Sequence, residues 1–351
     1  MNIFNAITVG FKEIWAHKFR SLLTMLGIIL GVASLVAMSA LINGMENGMR
    51  EALVAIGGVE RIRVEEQDIP ANQTHLADQA VGCTVADVYA LKRGAPLFRA
   101  VTPEMRGRDM LMTRGTKTFS PWNFSGTWPS VLEMYDHEVQ HGRMFNEIDD
   151  EEARNVCVIG SGTRDALFGS PQEVGREINP VGEQINVKGQ LFTIIGMFKH
   201  YESEADAKRR ELAKLEVSTQ KGGGPERSKS GGSGRRSNNY VWGFKNSTVY
   251  IPLNTMWIKF RSATGSQSLP DPRLSQINMM LRNVSDLEEA LQQARNVLMI
   301  THRGIEDFAF QTQEDRSDQI NSAIRNARLS GGFIAGISLL IGGIGIMNIM
   351  L

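Results

Sequence analysis

The chain has almost no cysteine. Its 351 residues hold two, Cys83 and Cys157, which excludes a disulfide scaffold. Cys157 lies in the apolar run NVCVIG and reads as a buried free thiol. An excess charge of either sign is missing as well. With 38 basic against 38 acidic residues, nothing in the composition recruits nucleic acid or an acidic partner. No G-x-x-x-x-G-K-S/T motif occurs, so ATP hydrolysis by the P-loop route is not expected of this chain. The strongest absence is local: Ser21–Met45 and Leu329–Leu351 contain no charged side chain at all.

At about 1.5 Å of rise per helical residue, each run is long enough to cross a hydrocarbon core of roughly 30 Å. Residues 21–45 and 329–351 are therefore predicted to be transmembrane helices. The first run exceeds the roughly 7–15 apolar residues of a signal-peptide core, so it is expected to be retained as an anchor. Lys12, Lys18 and Arg20 precede it, opposed only by Glu13. By the positive-inside rule the N-terminus faces the cytoplasm and the residues after Met45 lie outside. Within residues 1–20, Phe4, Ile7, Phe11, Ile14 and Trp15 recur at helical spacing, which suits an amphipathic helix lying on membrane lipid.

Both runs carry small residues one turn apart, Gly27 with Gly31 and Gly332 with Gly336. Such pairs let helix backbones approach closely in lipid, so a packed bundle within a dimer is expected. Neither run has an ionisable residue, which argues against a proton relay or ion path there. Helical spacing continues past the membrane. Leu41, Met45, Met49, Leu53 and Ile56 recur about every four residues, as do Ile320, Ala323, Ile324 and Ala327. These predict a helical stalk with ends at 46–56 and 312–328, packed through Met45, Met49, Leu53, Ile320 and Ile324.

Residues 46–328 read as an α+β domain of two lobes. Arg61–Glu65 alternates like a strand, and Thr84 with Asp87 opens a helix that Gly94 stops. Gln276–Arg282 is a second strand, followed by a capping box at Ser285–Glu288, a helix to about His302, and a strand at Asp307–Gln311. This is a β-α-β lobe. Strands predicted at Asn155–Ile159, Ile185–Val187, Leu191–Phe198 and Thr248–Leu253, with a hairpin turn at Lys188-Gly189, build a β-rich lobe inserted at about residues 106–245. The stretch at about 218–239 is rich in Gly, Ser and Arg and lacks large apolar residues, which predicts disorder.

Two motifs invite chemistry. His137-Glu138-Val139-Gln140-His141 has the H-E-x-x-H spacing in which one helical turn presents two zinc ligands and a general base. Gly142 follows at once, so the supporting helix would end on its second ligand. A membrane-anchored zinc protease is the remote alternative this leaves. Gly160-Ser161-Gly162 follows a strand-like VCVI and suggests a nucleotide loop, but Asp165 stands where the third small residue should be. No catalytic residue, cofactor ligand or metal ligand is assigned.

Taken in order, HKFRSLLTMLGIILGVASLVA, the central HGRMFNEIDDEEARNVCVIGSGTRDALFG with GREINPVGEQINVKGQLFTIIGMF and TVYIPL, and the terminal GGIGIMNIML resemble MacB/FtsX-type ABC transporter permeases. The resemblance implies a MacB-like periplasmic core domain framed by transmembrane helices in a bacterial inner membrane, with two further spans expected beyond Leu351. It also implies a dimer, homo- or heteromeric, served by a cytoplasmic ATPase subunit that binds ATP and Mg, and a periplasmic adaptor. The function it implies is efflux by motion of the periplasmic domain; an FtsX-type regulatory permease, acting on an extracytoplasmic enzyme or sensor, is the alternative.

Overall fold

The computed structural model describes residues 18–204, 206–208, 210–212, 240–261 and 271–350. The interfacial helix expected in residues 1–20 and the disorder expected at 218–239 fall largely or wholly outside these residues. The chain divides into two units, Met1–Arg50 with Glu314–Leu351, and Glu51–Gln313.

Among the described residues the second unit is built on one sheet of twelve strands. Four of them form a lobe closed by sequence ends that are far apart. Strand β1 (Arg61–Glu66) leads through helix α2 (Val85–Gly94) to β2 (Phe98–Arg106); helix α1 (Lys18–Ala55) precedes them. Late in the chain β11 (Gln276–Leu281) leads through helix α5 (Leu287–Thr301) to β12 (Phe308–Thr312), and helix α6 (Gln313–Met350) follows. Their spatial order is β12-β1-β11-β2, every neighbour antiparallel. Each strand pair joined by a helix is thus split by a strand of the other pair, the ferredoxin-like split β-α-β arrangement. The β-α-β unit expected at the end of the chain and its likeness at the start interleave in one lobe.

Alternation assigns the faces. Ile62, Val64, Val101, Met105, Ile277, Met279 and Leu281 join the core that Val88, Leu91, Ala290, Ala294 and Leu298 of the two helices close. A Cβ on Gly94 would lie 2.7 Å from Val297, which measures how closely α2 and α5 approach. The α2 N-terminus forms as its sequence predicts, the Thr84 backbone N–H donating to Asp87 at 2.7 Å. The box expected at Ser285–Glu288 does not form. Ser285 instead lies in a 3-10 turn, Val284–Asp286, and its hydroxyl goes to Asp286 at 3.0 Å. At the far end Gly304, with φ +84°, stops α5, and its N–H returns to the Met299 carbonyl at 2.8 Å.

The insertion between β2 and β11 extends past the expected limit of 245. Strands β3 (Met112–Arg114), β4 (Lys117–Phe119), β5 (Asn123–Thr127), β6 (Val139–Gly142), β7 (Val156–Ile159), β8 (Gln184–Val187), β9 (Gln190–Phe198) and β10 (Thr248–Pro252) belong to it. Strand β10 sits centrally, parallel to β5 and antiparallel to β7. Lys188 (φ +47°) and Gly189 (φ +88°) make the two-residue turn between β8 and β9 that their sequence predicts. The β-α-β lobe and the strands inserted into it share one sheet, because β2 pairs with β5 over Glu104–Arg106 and carries it across the seam.

Both cysteines are buried free thiols. Burial, with Asp87 and Asp307 nearby, pushes Cys83 up to about 12, and burial alone raises Cys157.

In the first unit α1 and α6 meet at Met38 against Gly331, where a Cβ would stand 2.6 Å from the Met38 side chain, and Ile42 and Ile324 are both buried. Arg328 pairs with Glu46 at 3.4 Å. Among the described residues, no helix is long and apolar enough to cross a membrane. Many positions of the two apolar runs, Gly27 and Leu339 among them, lie outside the residues whose side chains are described.

Candidate functional site

The seam between the two halves of the sheet holds a buried carboxylate. Period-two alternation that places Ile277 and Met279 in the helix-covered core places Gln276, Asn278 and Glu104 on the opposite face. That face is not open to water. Glu104, Gln276 and Asn278 are all fully buried, and Tyr135 covers them. The Glu104 carboxylate accepts from the Tyr135 hydroxyl (2.7 Å), Gln276 Nε2 (2.5 Å), Asn278 Nδ2 (2.8 Å) and Ser125 Oγ (2.9 Å). Arg106 Nε stands 3.4 Å away. Burial alone raises the carboxyl pKa. The Arg106 charge, the hydrogen bonds from Tyr135 and Asn278, and the Arg61 charge outweigh it and hold Glu104 down at about 2.

The network reaches the end of α1. Arg61 is 3 % exposed, with its guanidinium 4.2 Å from the centre of the Tyr135 ring. It donates to the Tyr135 hydroxyl (3.3 Å), Asn278 Oδ1 (3.3 Å) and the Ile56 carbonyl (2.9 Å), just beyond the last helical residue, Ala55. A buried arginine at a helix C-terminus satisfies a carbonyl the helix itself leaves unpaired. Strand β1, strand β2, strand β11, the inserted half and the end of α1 thus meet in one charged cluster. A second tie holds the same region: Glu51 accepts from the Glu204 N–H (2.7 Å) and the Tyr201 hydroxyl (3.4 Å). Sequence reading missed the cluster because Gln276 and Asn278 look like the solvent side of a strand. The available signal was Glu104 itself, a lone acid in the apolar strand FRAVTPEMR.

At the seam a cleft of about 1110 Å³ opens between the ends of β1 and β2 and the inserted strands. Arg106, bonded to the buried carboxylate, lines it.

The motifs singled out for chemistry resolve into packing. The H-E-x-x-H residues form no helix: Val139–Gly142 is β6, paired with β9. His137 is buried against Phe198, ring centroids 4.5 Å apart, and burial drives its pKa down to about 3, helped by Lys245. His141 is half-buried beside Glu177 at 3.4 Å. Among the described residues no three His, Cys, Asp or Glu side chains cluster to hold a metal. Zinc titration of the purified protein is expected to show no stoichiometric binding that His137→Ala removes; stoichiometric, His137-dependent zinc would overturn this. Gly160 is glycine because a Cβ there would stand 2.2 Å from the Asn246 carbonyl oxygen. Ser161 is fully buried, bonded to His200 Nδ1 (2.8 Å) and Asn246 Oδ1 (2.9 Å), and faces no open phosphate site.

The residues expected to pack the spans and stalk are distributed unevenly. Gly31 is buried, whereas a Cβ on Gly332 or Gly336 would meet nothing within 4 Å; the adjacent Gly331 makes the close approach within the chain. On the stalk face Ile324 is buried, Leu53 and Met49 are half-buried and Met45 is exposed. The side chain of Ile320 lies outside the described residues. Ile42 takes the place expected for Leu41, one residue around the helix, because it lies four residues from Met38 and so shares the face that meets α6.

Residues 21–213, more than half of the chain, match the family described as the MacB-like periplasmic core domain. The chain belongs to this family. The match takes in α1 from residue 21 onward, β1, α2, β2 and the inserted strands through β9, while β10, β11, α5 and β12 lie beyond it. Among relatives of the MacB-like domain, the pyoverdine export ATP-binding/permease protein PvdT of Pseudomonas syringae pv. syringae is 26% identical over 357 residues, covering 99% of this chain and 44% of that protein. The macrolide export ATP-binding/permease protein MacB of Wolinella succinogenes is 24% identical over 352 residues, covering 100% of this chain and 46% of that protein. The chain therefore spans less than half the length of these relatives. The crystal structure of the periplasmic region of MacB from Actinobacillus actinomycetemcomitans superposes with a TM-score of 0.50 at 14% identity, over 77% of this chain and 95% of that one. The mixed α/β fold described above is the fold of that periplasmic region.

Proposed function

We propose that this chain is the permease part of a MacB-type ABC transporter, in which ATP hydrolysis by a separate cytoplasmic ATPase subunit moves a periplasmic domain to extrude substrate. Ser21–Met45 and Leu329–Leu351 cross a bacterial inner membrane in this reading, and two permeases, alike or different, work as a dimer. ATP and Mg belong to the ATPase subunit, and a periplasmic adaptor continues the exit path. The observation that carries the proposal is α1. One unbroken helix of 38 residues runs from the first apolar run to Ala55, and the next residue, Ile56, is gripped by the buried Arg61–Glu104 cluster. A helix so anchored transmits displacement instead of absorbing it.

The test is a spin label at exposed Lys117, read between protomers of the reconstituted permease–ATPase assembly, with Cys83 and Cys157 protected by burial. The inter-protomer distance is expected to change when ATP is bound and to return after hydrolysis. An ATP-independent distance, or failure of any ATPase subunit to co-purify, counts against the proposal. Export names alone favour efflux over regulation, so coupling without extrusion of any cargo turns the reading toward the FtsX-type alternative.

A further inference from the structure

The cleft at the seam is larger than the roughly 300–1,000 Å³ of ordinary small-molecule sites, and its lining is of two kinds. Met110, Phe124 and Met256 are buried side chains that form an apolar floor, with Phe260 half-buried and edge-on to Phe124 at 5.9 Å between centroids. Phe260 and Arg261 come from a π-helical turn, Trp257–Arg261, an irregularity that recurs where a helix is shaped for a site.

The rim is charged but unevenly satisfied. Glu65 is held by Arg63 (2.6 Å), Glu66 by Arg273 (2.7 Å), and Asp271 by Arg273 (2.9 Å) and Arg261 (3.2 Å). Arg106 is committed to Glu104. Arg108 and Lys188, both exposed, have no carboxylate partner among the described residues; Lys188 Nζ donates only to the Arg108 backbone carbonyl, at 3.1 Å. Asp109 offsets one of these two cations and leaves a single positive surplus. A further unmet demand lies in the wall. Asn123 is 8 % exposed, lines the cleft, and its amide Nδ2 has no hydrogen-bond partner. A buried donor left unpaired costs free energy that an acceptor from a ligand recovers.

We propose that this cleft binds a small amphipathic carboxylate, its apolar or aromatic body on the Met110–Phe124–Met256 floor and its carboxylate held by Arg108, Lys188 and Asn123. The surplus of one cation suits a ligand of charge minus one, and the apolar floor suits a ligand with an apolar body. The site is not deduced from the export reading, and it stands whether the permease moves cargo or signals. Its position gives it a consequence. Arg106 lines the cleft and touches Glu104, Glu104 accepts from Tyr135, Tyr135 from Arg61, and Arg61 holds Ile56. A ligand seated in the cleft lies beside Arg106, one step from the cluster that grips the end of α1.

The experiment uses the full chain in nonionic detergent and three probes of one shape: naphthylacetate, the neutral naphthylacetamide and the cationic naphthylmethylammonium. Calorimetric titration is expected to give about tenfold tighter binding of the carboxylate than of the amide, with no measurable binding of the cation. The double variant Arg108→Ala with Lys188→Ala alters two exposed side chains, so its melting temperature is expected to match the wild type while the carboxylate preference disappears. Asn123→Asp, which sets a negative charge in the wall, is expected to abolish carboxylate binding. Equal affinity for the three probes, no binding of naphthylacetate, or an unchanged preference in the double variant each overturns the proposal.

Discussion

Glu104→Gln is expected to destabilise the Glu51–Gln313 unit by about 3–5 kcal/mol, the usual cost of removing one partner from a buried ion pair. The size follows from what the substitution leaves behind. Two charges lose their counter-ion: Arg106, whose Nε is 3.4 Å from the carboxylate, and Arg61, which is 3 % exposed with Nε unpartnered and reaches the carboxylate only through Tyr135 and Asn278. Glutamine keeps the shape and can leave its oxygen to Tyr135, Asn278 and Gln276, which all reach one carboxylate oxygen, but its NH₂ then faces Arg106 Nε and Ser125 Oγ, and the Arg106 bond is lost. For a unit of this length the melting temperature of the full chain is expected to fall by on the order of 10 °C. Adding Arg61→Met to the glutamine variant removes the stranded charge and is expected to restore part of the loss. A single-variant cost below about 1 kcal/mol, within the range of an exposed ion pair, rules out the cluster as the tie between the halves.

The same carboxylate gives the acid limb of stability. Glu104 has its pKa lowered from the ordinary carboxylate value to about 2 in the fold. Its contribution is therefore complete above about pH 4.5 and is lost as pH falls toward 2, because the unfolded chain binds the proton first. The shift corresponds to about 3 kcal/mol. Asp87 and Asp149 are lowered too, so acid unfolding of the wild type has several sources. The difference between wild type and Glu104→Gln isolates this one, and it is expected to shrink across that window.

How far the sequence could be read depended on whether the relevant interactions were local. Thr84 with Asp87, Gly304 and Lys188-Gly189 each set their own backbone within a few residues, and the elements they bound lie where the spacing places them. Ser285–Glu288 failed for an equally local reason, a 3-10 turn that redirects the hydroxyl. The joining of two lobes by β2 and β5 was not legible, since nothing in FRAVTPEMR or NFSGT names its partner. The buried cluster was hidden by the rule that usually works. Gln276 and Asn278 alternate with apolar residues as a wet strand face does, and only the long-range arrival of Tyr135 and Arg61 makes that face dry. The cleft was hidden likewise, because its lining is drawn from segments as distant as Glu65 and Ser275. At the two ends the spacing placed helices without fixing their packed face, since Ile42 is buried where Leu41 was expected and Met45 is exposed.

Asn47→Pro is expected to separate the fold of the Glu51–Gln313 unit from the proposed coupling. Asn47 lies inside α1, is exposed, and sits between the Ile42 contact and the Arg61 grip on Ile56. Proline there removes the hydrogen bond from its own N–H to the carbonyl of Asn43 and clashes with that turn, a cost of about 3 kcal/mol that the helix meets by kinking. The cost falls on the helix and not on the sheet, whose core residues are all beyond Ala52. The high-temperature melting transition of the Glu51–Gln313 unit is therefore expected to stay within a few degrees of the wild type. The ATP-dependent distance change at the Lys117 label is expected to drop more than tenfold, since a kinked helix bends where a straight one pushes. Asn47→Ala, which keeps every backbone hydrogen bond, serves as the control and is expected to couple normally. Both variants coupling equally well places the transmission path elsewhere than α1. Both failing assigns the loss to the asparagine side chain and not to the continuity of the helix. Only the split between them identifies an unbroken α1, fixed at Ile56 by a buried charge network, as the element that carries motion into the sheet.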